Sequence, residues 1–362
     1  MNFPFINLKA QYHAYKTEID KAIFDVLESS SFIGGKVLDD FERNLASFVG
    51  VKHAIGCSSG TSSLLLALLA LDIKKGDEVI VPSFTFVATA EMVSLIGAKP
   101  IFADISLDDY NINVDTVKNL VNDKTKAIIA VSIFGQMPDL LALREFCKSN
   151  NIHLIEDAAQ SFGAKQNGLK SCSISEISCT SFFPSKPLGA YGDAGAIFTN
   201  DDELASKIRI YLNHGQTKRY KHSLIGFNGR LDSIQAAVLN VKLKYLEEEI
   251  LKRDEIAKIY NENLNKTKLI LPKIKDGFTS VWAQYSVRVK DRSSVIKKLD
   301  ELGIPSAIHY PLGLHLQEAY LDLGYKKGSL VNTELVSEEI LSLPMSAFLT
   351  KEEQESVIKA FE

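Results

Sequence analysis

A lysine and an aspartate about thirty residues apart are the residues of this sequence best suited to covalent chemistry. Lys186 lies in a loop rich in proline and glycine, between two runs that resemble strands. Because Pro187 disfavours helical geometry for the residue before it, we expect the amine on a turn. A lysine amine can form an imine with an aldehyde and later move a proton. Most single lysines are solvated surface charges, so this interpretation depends on the neighbouring residues.

Asp157 is the candidate for the carboxylate that a cofactor bound to such an amine needs. It ends the strand-like run 153–157, and open α/β sheets bind ligands beyond the carboxyl ends of their strands. Pyridoxal phosphate (PLP), an aldehyde cofactor, needs a carboxylate that keeps its ring nitrogen protonated. The alternative is that Asp157 caps a following helix. Lys186 and Asp157 are therefore the two residue types that a PLP site needs.

A phosphate site is predicted at 58–61, where Ser-Ser-Gly-Thr separates the first strand from a helix. Backbone N–H groups at the start of a helix bind phosphate. The alternative is an ordinary turn with a helix cap, and only the conjunction with Lys186 and Asp157 favours a phosphate.

The elements that must position these residues alternate between strands and helices, which is typical of a mostly parallel α/β sheet. Helices are predicted at 62–71, 85–96 and 140–149. No G-x-G-x-x-G follows the first strand, so a dinucleotide-binding interpretation lacks its phosphate motif. The seven predicted strands are 53–56, 78–81, 100–103, 127–131, 154–156, 178–182 and 196–198.

The second half predicts a smaller C-terminal α+β domain. Apolar residues spaced by three and four predict one long helix over 231–263 that bridges two domains. A strand at 285–289 and helices at 293–302 and 351–361 follow. We therefore predict a large PLP-binding α/β domain at 1–245 and a small domain at 246–362.

Composition excludes several classes of protein. The chain has 362 residues, of which 46% are hydrophobic, and a net charge of -4 without large charged blocks. No concentrated basic face for nucleic acid or a membrane surface is present. The longest apolar run, 64–71, is far shorter than the roughly 20 residues of a membrane span, and the segment 1–4 lacks a basic signal start, so we predict a cytoplasmic protein. Its four cysteines have no metal or disulfide spacing, and no metal is predicted.

Six motifs in order resemble the DegT/StrS group of sugar-nucleotide aminotransferases, and the resemblance covers nearly the whole chain. It implies the fold type I PLP-transferase architecture, a homodimer, and glutamate as amino donor with PLP cycling through pyridoxamine phosphate. The motifs are Gly60-Thr61, 82–89 (PSFTFVAT), 156–160 (EDAAQ), 181–186 with 192–195 (GDAG), His214-Gly215 and 228–232 (NGRLD).

The resemblance assigns cofactor contacts by position. Lys186 corresponds to the imine-forming lysine, Asp157 to the partner of the ring nitrogen, and Gln160 to a contact of the ring oxygen. Phe86 corresponds to the aromatic residue that stacks on the ring, although alone it would be interpreted as ordinary core.

Further positions imply a site shared between subunits. Gly60, Thr61 and Ser181 correspond to phosphate contacts, and Asn228 to a residue that reaches the phosphate in the neighbouring subunit. The segment 216–227, with the basic run Lys-Arg-Tyr-Lys-His, corresponds to a mobile loop; its charges suit a nucleotide diphosphate, or it is merely solvated.

Departures from the common family pattern bear on the substrate. Phe183, Tyr191 and 192–195 (GDAG), together with Arg230 and 309–311 (HYP), are most similar to enzymes that aminate C3 of UDP-2-acetamido-2-deoxy-3-oxo-glucuronate in bacterial surface polysaccharide (lipopolysaccharide, O-antigen) biosynthesis. Arg230, His309 and Tyr310 are therefore candidate substrate residues, the first two suited to the sugar's carboxylate. Gly313 stands where relatives usually have proline.

Three alternatives stay open at this point. The chain acts on C3 or C4 of another UDP- or dTDP-keto-deoxysugar, or it is a non-catalytic regulatory protein on the same scaffold. Related PLP-dependent sugar dehydratases carry histidine at the lysine position, and Lys186 argues against that activity.

Overall fold

A seven-stranded sheet lies at the centre of the computed structural model, which describes residues 3–362. Residues 1 and 2, which begin the segment considered for a signal sequence, lie outside that range. In chain order the strands are β1 (His53–Cys57), β2 (Glu78–Pro82), β3 (Lys99–Ala103), β4 (Thr125–Val131), β5 (His153–Asp157), β6 (Lys165–Gln166), β7 (Leu169–Lys170), β8 (Ile177–Ser181), β9 (Gly195–Thr199), β10 (Gln216–Lys218), β11 (Lys221–His222), β12 (Tyr285–Arg288) and β13 (Ile340–Leu343).

The central sheet has the order β1-β9-β8-β5-β4-β2-β3. All seven predicted strands are confirmed, because these apolar runs are buried on both faces of the sheet. β3, β2, β4, β5 and β8 are parallel, whereas β9 is antiparallel to both β1 and β8. β1 therefore runs in the same direction as β8. The residues after β1, β2, β5 and β8 consequently meet at one edge of the sheet.

Helices cover both faces of this sheet, as predicted. Two apolar clusters form there, one around Leu66 of α3 and Val93 of α4, the other around Leu140 and Leu143 of α6. The helices are α1 (Leu8–Ser29), α2 (Lys36–Val49), α3 (Gly60–Ala70), α4 (Ala88–Leu95), α5 (Val114–Val117), α6 (Leu140–Ser149), α7 (Asp202–Tyr211), α8 (Ser233–Leu243), α9 (Leu246–Leu264), α10 (Arg292–Glu301), α11 (Val331–Glu339) and α12 (Lys351–Lys359).

The single long helix predicted over 231–263 is wrong, because α8 and α9 are separate helices. The break lies at Lys244 and Tyr245, where the Tyr245 N–H donates to the carbonyl of Lys242 three residues back. This tight turn replaces the bond to the fourth residue back that a continuous α-helix makes.

The apolar spacing that suggested one helix nevertheless reflects real packing. Val238, Val241 and Tyr245 all pack with Ile19 of α1. The Tyr245 ring also stacks on Tyr15, with 4.1 Å between the ring centroids. One apolar face thus continues through the break, and periodicity alone cannot reveal a turn that preserves it.

The C-terminal part has the predicted α+β composition. β12 pairs antiparallel with β13, and α9, α10 and α12 share an apolar cluster with them that includes Tyr260, Tyr285 and Leu341. The break between α8 and α9 lies at the boundary between the predicted domains 1–245 and 246–362. The division into these two domains stays a prediction. Among residues 3–362, no helix combines the length and apolar character that a bilayer span requires.

Candidate active site

A cavity of about 500 Å³ lies at the carboxyl edge of the parallel strands. Of the residues predicted for the site, all except Asn228 and Arg230 line its walls. The sheet topology explains this convergence, because each contributing strand ends at the same edge. The predicted residues in the cavity wall are Gly60, Thr61, Phe86, Asp157, Gln160, Ser181, Lys186, His309 and Tyr310.

Asp157, the last residue of β5, is only 6% exposed. Its Oδ2 accepts a 2.8 Å hydrogen bond from Thr89 Oγ1, and its Oδ1 accepts one of 3.2 Å from the Ala159 N–H. Burial raises the pKa of Asp157, and these hydrogen bonds and the Lys186 charge oppose that rise. Turns rather than a helix follow at 159–163, so the interpretation as a helix cap is wrong. A buried carboxylate of this kind favours a cationic partner.

Lys186 enters the same cavity from the loop between β8 and β9. Its backbone N–H donates to the Phe183 carbonyl at 2.8 Å, which confirms the predicted turn. Burial lowers the pKa of the Lys186 amine, and the charge of Asp157 partly opposes this change. The amine is therefore uncharged at lower pH than a solvated lysine, which is what attack on an aldehyde requires.

The start of α3 lies against the end of β8. Ser59 caps α3, because its Oγ accepts a 3.0 Å hydrogen bond from the Ser62 N–H, so the helix begins at Gly60, two residues before the predicted start. A Cβ on Gly60 would lie 2.6 Å from the Cβ of Ser181. Backbone N–H groups of a first helical turn lack intrahelical acceptors, so Gly60, Thr61 and the Ser181 hydroxyl form a cradle suited to an anion.

Three further predicted residues form one side of the cavity. Gln160 Oε1 accepts a 2.8 Å hydrogen bond from the Phe134 N–H, and its Nε2 donates to the Tyr310 hydroxyl at 3.2 Å. Phe86 is 55% exposed, so it is not a core residue. Its ring centroid lies 6.3 Å from that of Tyr310. The cavity therefore has an exposed flat apolar surface on which an aromatic ring can stack.

His309 connects the cavity to the C-terminal part of the chain. Its Nδ1 lies 3.0 Å from Ser342 Oγ, which in turn lies 2.9 Å from Ser286 Oγ. Burial and the nearby Lys186 charge lower the pKa of His309. At neutral pH the imidazole is therefore uncharged and can act as a hydrogen-bond donor from one nitrogen.

Asn228 and Arg230 do not line the cavity of their own chain. Asn228 is exposed, and Arg230 donates a 2.6 Å hydrogen bond to Asn213 Oδ1. The buried Nε of Arg230 has no hydrogen-bond partner within residues 3–362. The basic run predicted at 218–222 lies on the exposed β10–β11 hairpin.

Sequence reasoning missed several residues at the site, among them Thr89 and Gln284. Thr89 lies within a quoted motif, but nothing in its type or spacing indicated that it would bond Asp157. Gln284 lines the cavity from the residue before β12, and no sequence signal identified it.

The residues present fit PLP. A buried carboxylate and a lysine amine of lowered pKa face one cavity, with an anion cradle and an exposed aromatic ring in the same walls. When bound, PLP supplies an aldehyde and a ring that accepts electrons. Fold and site together define a PLP-dependent enzyme of fold type I.

The chain belongs to the DegT/DnrJ/EryC1/StrS aminotransferase family, whose model matches residues 13–362, and it is a PLP-dependent aminotransferase. It is 46% identical over 345 residues, 95% of each chain, to a Pseudomonas aeruginosa protein named UDP-2-acetamido-2-deoxy-3-oxo-D-glucuronate aminotransferase.

Two other similarities bear on function and cofactor. A Geobacillus stearothermophilus protein named pleiotropic regulatory protein is 42% identical over 99% of this chain and 97% of its own. The crystal structure of NtdA from Bacillus subtilis with bound cofactor PMP has a TM-score of 0.93 and 31% identity, covering 99% of this chain and 84% of that one.

Proposed function

We propose that this chain transfers the amino group of glutamate to C3 of UDP-2-acetamido-2-deoxy-3-oxo-glucuronate, in the cytoplasm, for a bacterial surface polysaccharide such as the O-antigen. The observation that carries the transamination chemistry is that Asp157 and Lys186 line one cavity. The choice of sugar is supported by the 46% identity over 95% of the chain to a relative named for that substrate.

The proposed roles follow from charge and burial. Lys186 Nζ binds the cofactor's aldehyde and, once released, accepts a proton from the α carbon of the amino donor. Its lowered pKa keeps a fraction of the amine uncharged and able to accept that proton. The Asp157 carboxylate holds a proton on the ring nitrogen. Gly60, Thr61 and Ser181 hold the phosphate, and Phe86 covers one face of the ring.

The sugar's carboxylate is proposed to meet His309 and Arg230. His309 lines the cavity as an uncharged donor, and Tyr310 beside it is fixed by Gln160. Arg230 lies outside its own chain's cavity and keeps a buried, unpaired Nε within the described range. A guanidinium pairs with a carboxylate through two parallel hydrogen bonds.

We propose that Asn228 and Arg230 complete the site of a second subunit in a homodimer. This assignment accounts for two site residues that the family pattern marks and that lie outside their own cavity. In a two-fold dimer each subunit then contributes these residues to the other's cavity. Neither subunit has a complete site alone.

A complementation experiment tests this arrangement. With the uronate sugar as acceptor, Lys186→Ala and Arg230→Ala are each expected to be inactive, because each removes one component of every site. If equal amounts of the two proteins are denatured together and refolded, half of the dimers contain one subunit of each kind. Each mixed dimer has one intact site and one inactive site, so about a quarter of wild-type activity returns. No recovery, with mixed dimers detected by a tag, would contradict the shared site.

The substrate is tested by mass spectrometry of products formed from glutamate and a panel of UDP- and dTDP-keto-sugars. We expect amination of the 3-keto uronate in preference to neutral 3- or 4-keto sugars. Arg230→Ala should lose the uronate much more than a neutral sugar, and equal losses would reject the carboxylate role. Preference for a neutral sugar would favour the alternative aminotransferase.

The regulatory alternative has one observation in its favour, the name of the 42% identical relative. The catalytic pair argues against it, because a regulator needs neither a buried carboxylate nor an amine of lowered pKa in the same cavity. A purified protein that binds no PLP and does not respond to glutamate would support regulation.

A further inference from the structure

Lys242 is a buried lysine in a mostly apolar helix, α8. It lies near the end of α8 and is 2% exposed, among Val238, Leu239 and Val241. Removing an ammonium group from water costs several kcal/mol, so a buried lysine needs specific partners. Burial lowers the pKa of Lys242 to about 8, and the charge of Glu249 opposes that change.

The partner of Lys242 is the loop that carries Lys186. Lys242 Nζ donates a 2.6 Å hydrogen bond to the carbonyl of Gly189, three residues after Lys186. The same Nζ lies 4.4 Å from the ring centroid of Tyr191. A charged donor and a desolvated cation–π contact are both stronger than their neutral or exposed counterparts.

A second side chain of α8 binds the same segment. Gln235 Oε1 accepts a 2.9 Å hydrogen bond from the Tyr191 N–H. Gln235 and Lys242 are seven residues apart, so they lie two turns apart on one face of α8. Side chains of α8 therefore hydrogen-bond to the end of the loop at both Gly189 and Tyr191.

The loop itself is tightly closed, so a clamp at Gly189 reaches Lys186. The Ala190 N–H donates to the Phe182 carbonyl at 2.8 Å. A Cβ on Gly189 would lie 2.3 Å from the Pro184 carbonyl oxygen. Because there is so little space between Pro184 and Gly189, we expect a displacement of Gly189 to move Lys186, which lies between them in the chain.

We propose that Lys242 is a positioning residue that holds the Lys186 amine in the cavity by clamping the Gly189 carbonyl. The proposal rests on the role of Lys186 in binding the cofactor. That role is checked separately by borohydride reduction of the PLP-loaded protein and mapping of the labelled peptide, which should contain Lys186.

The test uses the PLP-loaded full chain with Lys242→Met, which keeps the length of the side chain but removes its charge and donor. Lys244→Met is the matched control, because Lys244 lies two residues later, pairs with Glu18 and is exposed. We expect amide hydrogen exchange in the peptide spanning 182–192 to accelerate by at least about tenfold in Lys242→Met and to stay unchanged in the control.

A spectroscopic measurement separates positioning from simple stabilisation. The pH midpoint of the cofactor's visible band reports the surroundings of the Lys186 nitrogen, so Lys242→Met should shift it, whereas Lys244→Met should not. Lys242→Arg, which keeps a charged donor, should restore part of the shift. A wild-type midpoint and wild-type exchange at 182–192 in Lys242→Met would overturn the proposal, as would faster exchange spread evenly over the chain.

If Lys242→Met does not fold, Lys242→Gln takes its place in both measurements. The glutamine side chain is one atom shorter than that of lysine and carries no charge, so it weakens the contact with the Gly189 carbonyl in a second, chemically different way. It is expected to show the same local acceleration and the same direction of midpoint shift, and wild-type values for both would overturn the proposal. Labelling of a peptide without Lys186 would instead refute the assigned role of that lysine.

Discussion

Thr89 Oγ1 donates a 2.8 Å hydrogen bond to Asp157 Oδ2, and both residues are buried. The bond joins the start of α4 to the end of β5 and leaves the carboxylate fixed at the cavity wall. Because this bond favours the ionised form, it opposes the rise that burial causes in the pKa of Asp157.

Thr89→Val is expected to raise the pKa of Asp157 further, because the hydroxyl is lost without a large change in volume. Asp157 must be ionised to hold a proton on the ring nitrogen, so the acid limb of the kcat profile should move to higher pH. A hydrogen bond to a charged group contributes about 1.5–3 kcal/mol, which corresponds to a shift of about one to two pH units and to a fall in kcat of about tenfold or more on the acid limb. The measurement is kcat from pH 5 to 9.

Thr180→Val is the matched control for this experiment. Thr180 is equally buried, and its Oγ1 donates to the neutral carbonyl of Ala158 at 3.1 Å. We expect the control to lose about 1 kcal/mol of stability without any shift of the acid limb. Identical pH profiles for the two variants would show that Thr89 does not act through Asp157.

Lys186 provides a second pH prediction, since burial lowers the pKa of its amine. Only the uncharged amine attacks an aldehyde, so the rate of PLP capture should rise with pH and level off with a midpoint below 10.5, the value for a solvated lysine. Rapid mixing of PLP with the cofactor-free protein measures this rate. A midpoint at or above 10.5 would contradict the burial argument.

The same shift has a consequence for stability. The folded protein binds fewer protons at Lys186 than the unfolded chain between the lowered pKa and 10.5. The cofactor-free protein should therefore gain stability from this residue as pH rises through that window. Lys186→Ala should still fold, but its free energy of unfolding should no longer rise with pH in this window, and its turnover should be abolished. Lys36→Ala, at an exposed lysine, should change neither the pH dependence of stability nor the turnover.

Much of this site follows from the sequence because strand ends are predictable. Asp157, Ser181 and the start of α3 each follow a short apolar run, and parallel strands bring such positions to one edge. Contacts that depend on tertiary packing do not follow in this way. The Thr89 bond to Asp157 and the Lys242 bond to Gly189 join residues 68 and 53 positions apart, and no local pattern encodes either.

The wrong prediction of a single helix also arises from tertiary packing that the local sequence pattern does not encode. The sequence predicts one helix over 231–263 because Val238, Val241 and Tyr245 share a face, and that face is real. The turn at Lys244 and Tyr245 preserves the packing against α1, so periodicity carries no sign of it. The location of Arg230 outside its own cavity depends on how the 228–232 segment folds beside β1, and its substrate role stays a prediction.

His309 and Ser342 support a prediction about substrate affinity. The 3.0 Å hydrogen bond between His309 Nδ1 and Ser342 Oγ orients the imidazole at the cavity wall. Ser342→Ala should raise KM for the uronate sugar about threefold to tenfold with little change in kcat, because one neutral hydrogen bond is lost. Ser286→Ala, one bond further from His309, should have a smaller effect. A fall in kcat at unchanged KM would argue against orientation of a binding residue.

Gly195 permits the close approach that forms the phosphate cradle. A Cβ on Gly195 would lie 2.5 Å from the carbonyl carbon and oxygen of Ser59 and 2.8 Å from the Gly60 nitrogen. Gly195→Ala must therefore push the start of α3 away from β9 and misplace the N–H groups that are suited to the phosphate. The expected result is a Kd for PLP weaker by about tenfold or more, since several hydrogen bonds to a charged group are lost.

The affinity for pyridoxal, which lacks the phosphate, shows whether Gly195→Ala loses contacts to the phosphate or contacts to the rest of the cofactor. Its affinity for Gly195→Ala should change much less than that of PLP, because pyridoxal does not use the cradle. Gly192→Ala is the control: the three atoms nearest to its Cβ all belong to the Gln235 side chain, the closest being Nε2 at 3.0 Å, and none belongs to the cradle. Equal losses for PLP and pyridoxal in Gly195→Ala would place the damage outside the cradle, and the phosphate would then have to bind elsewhere in the cavity.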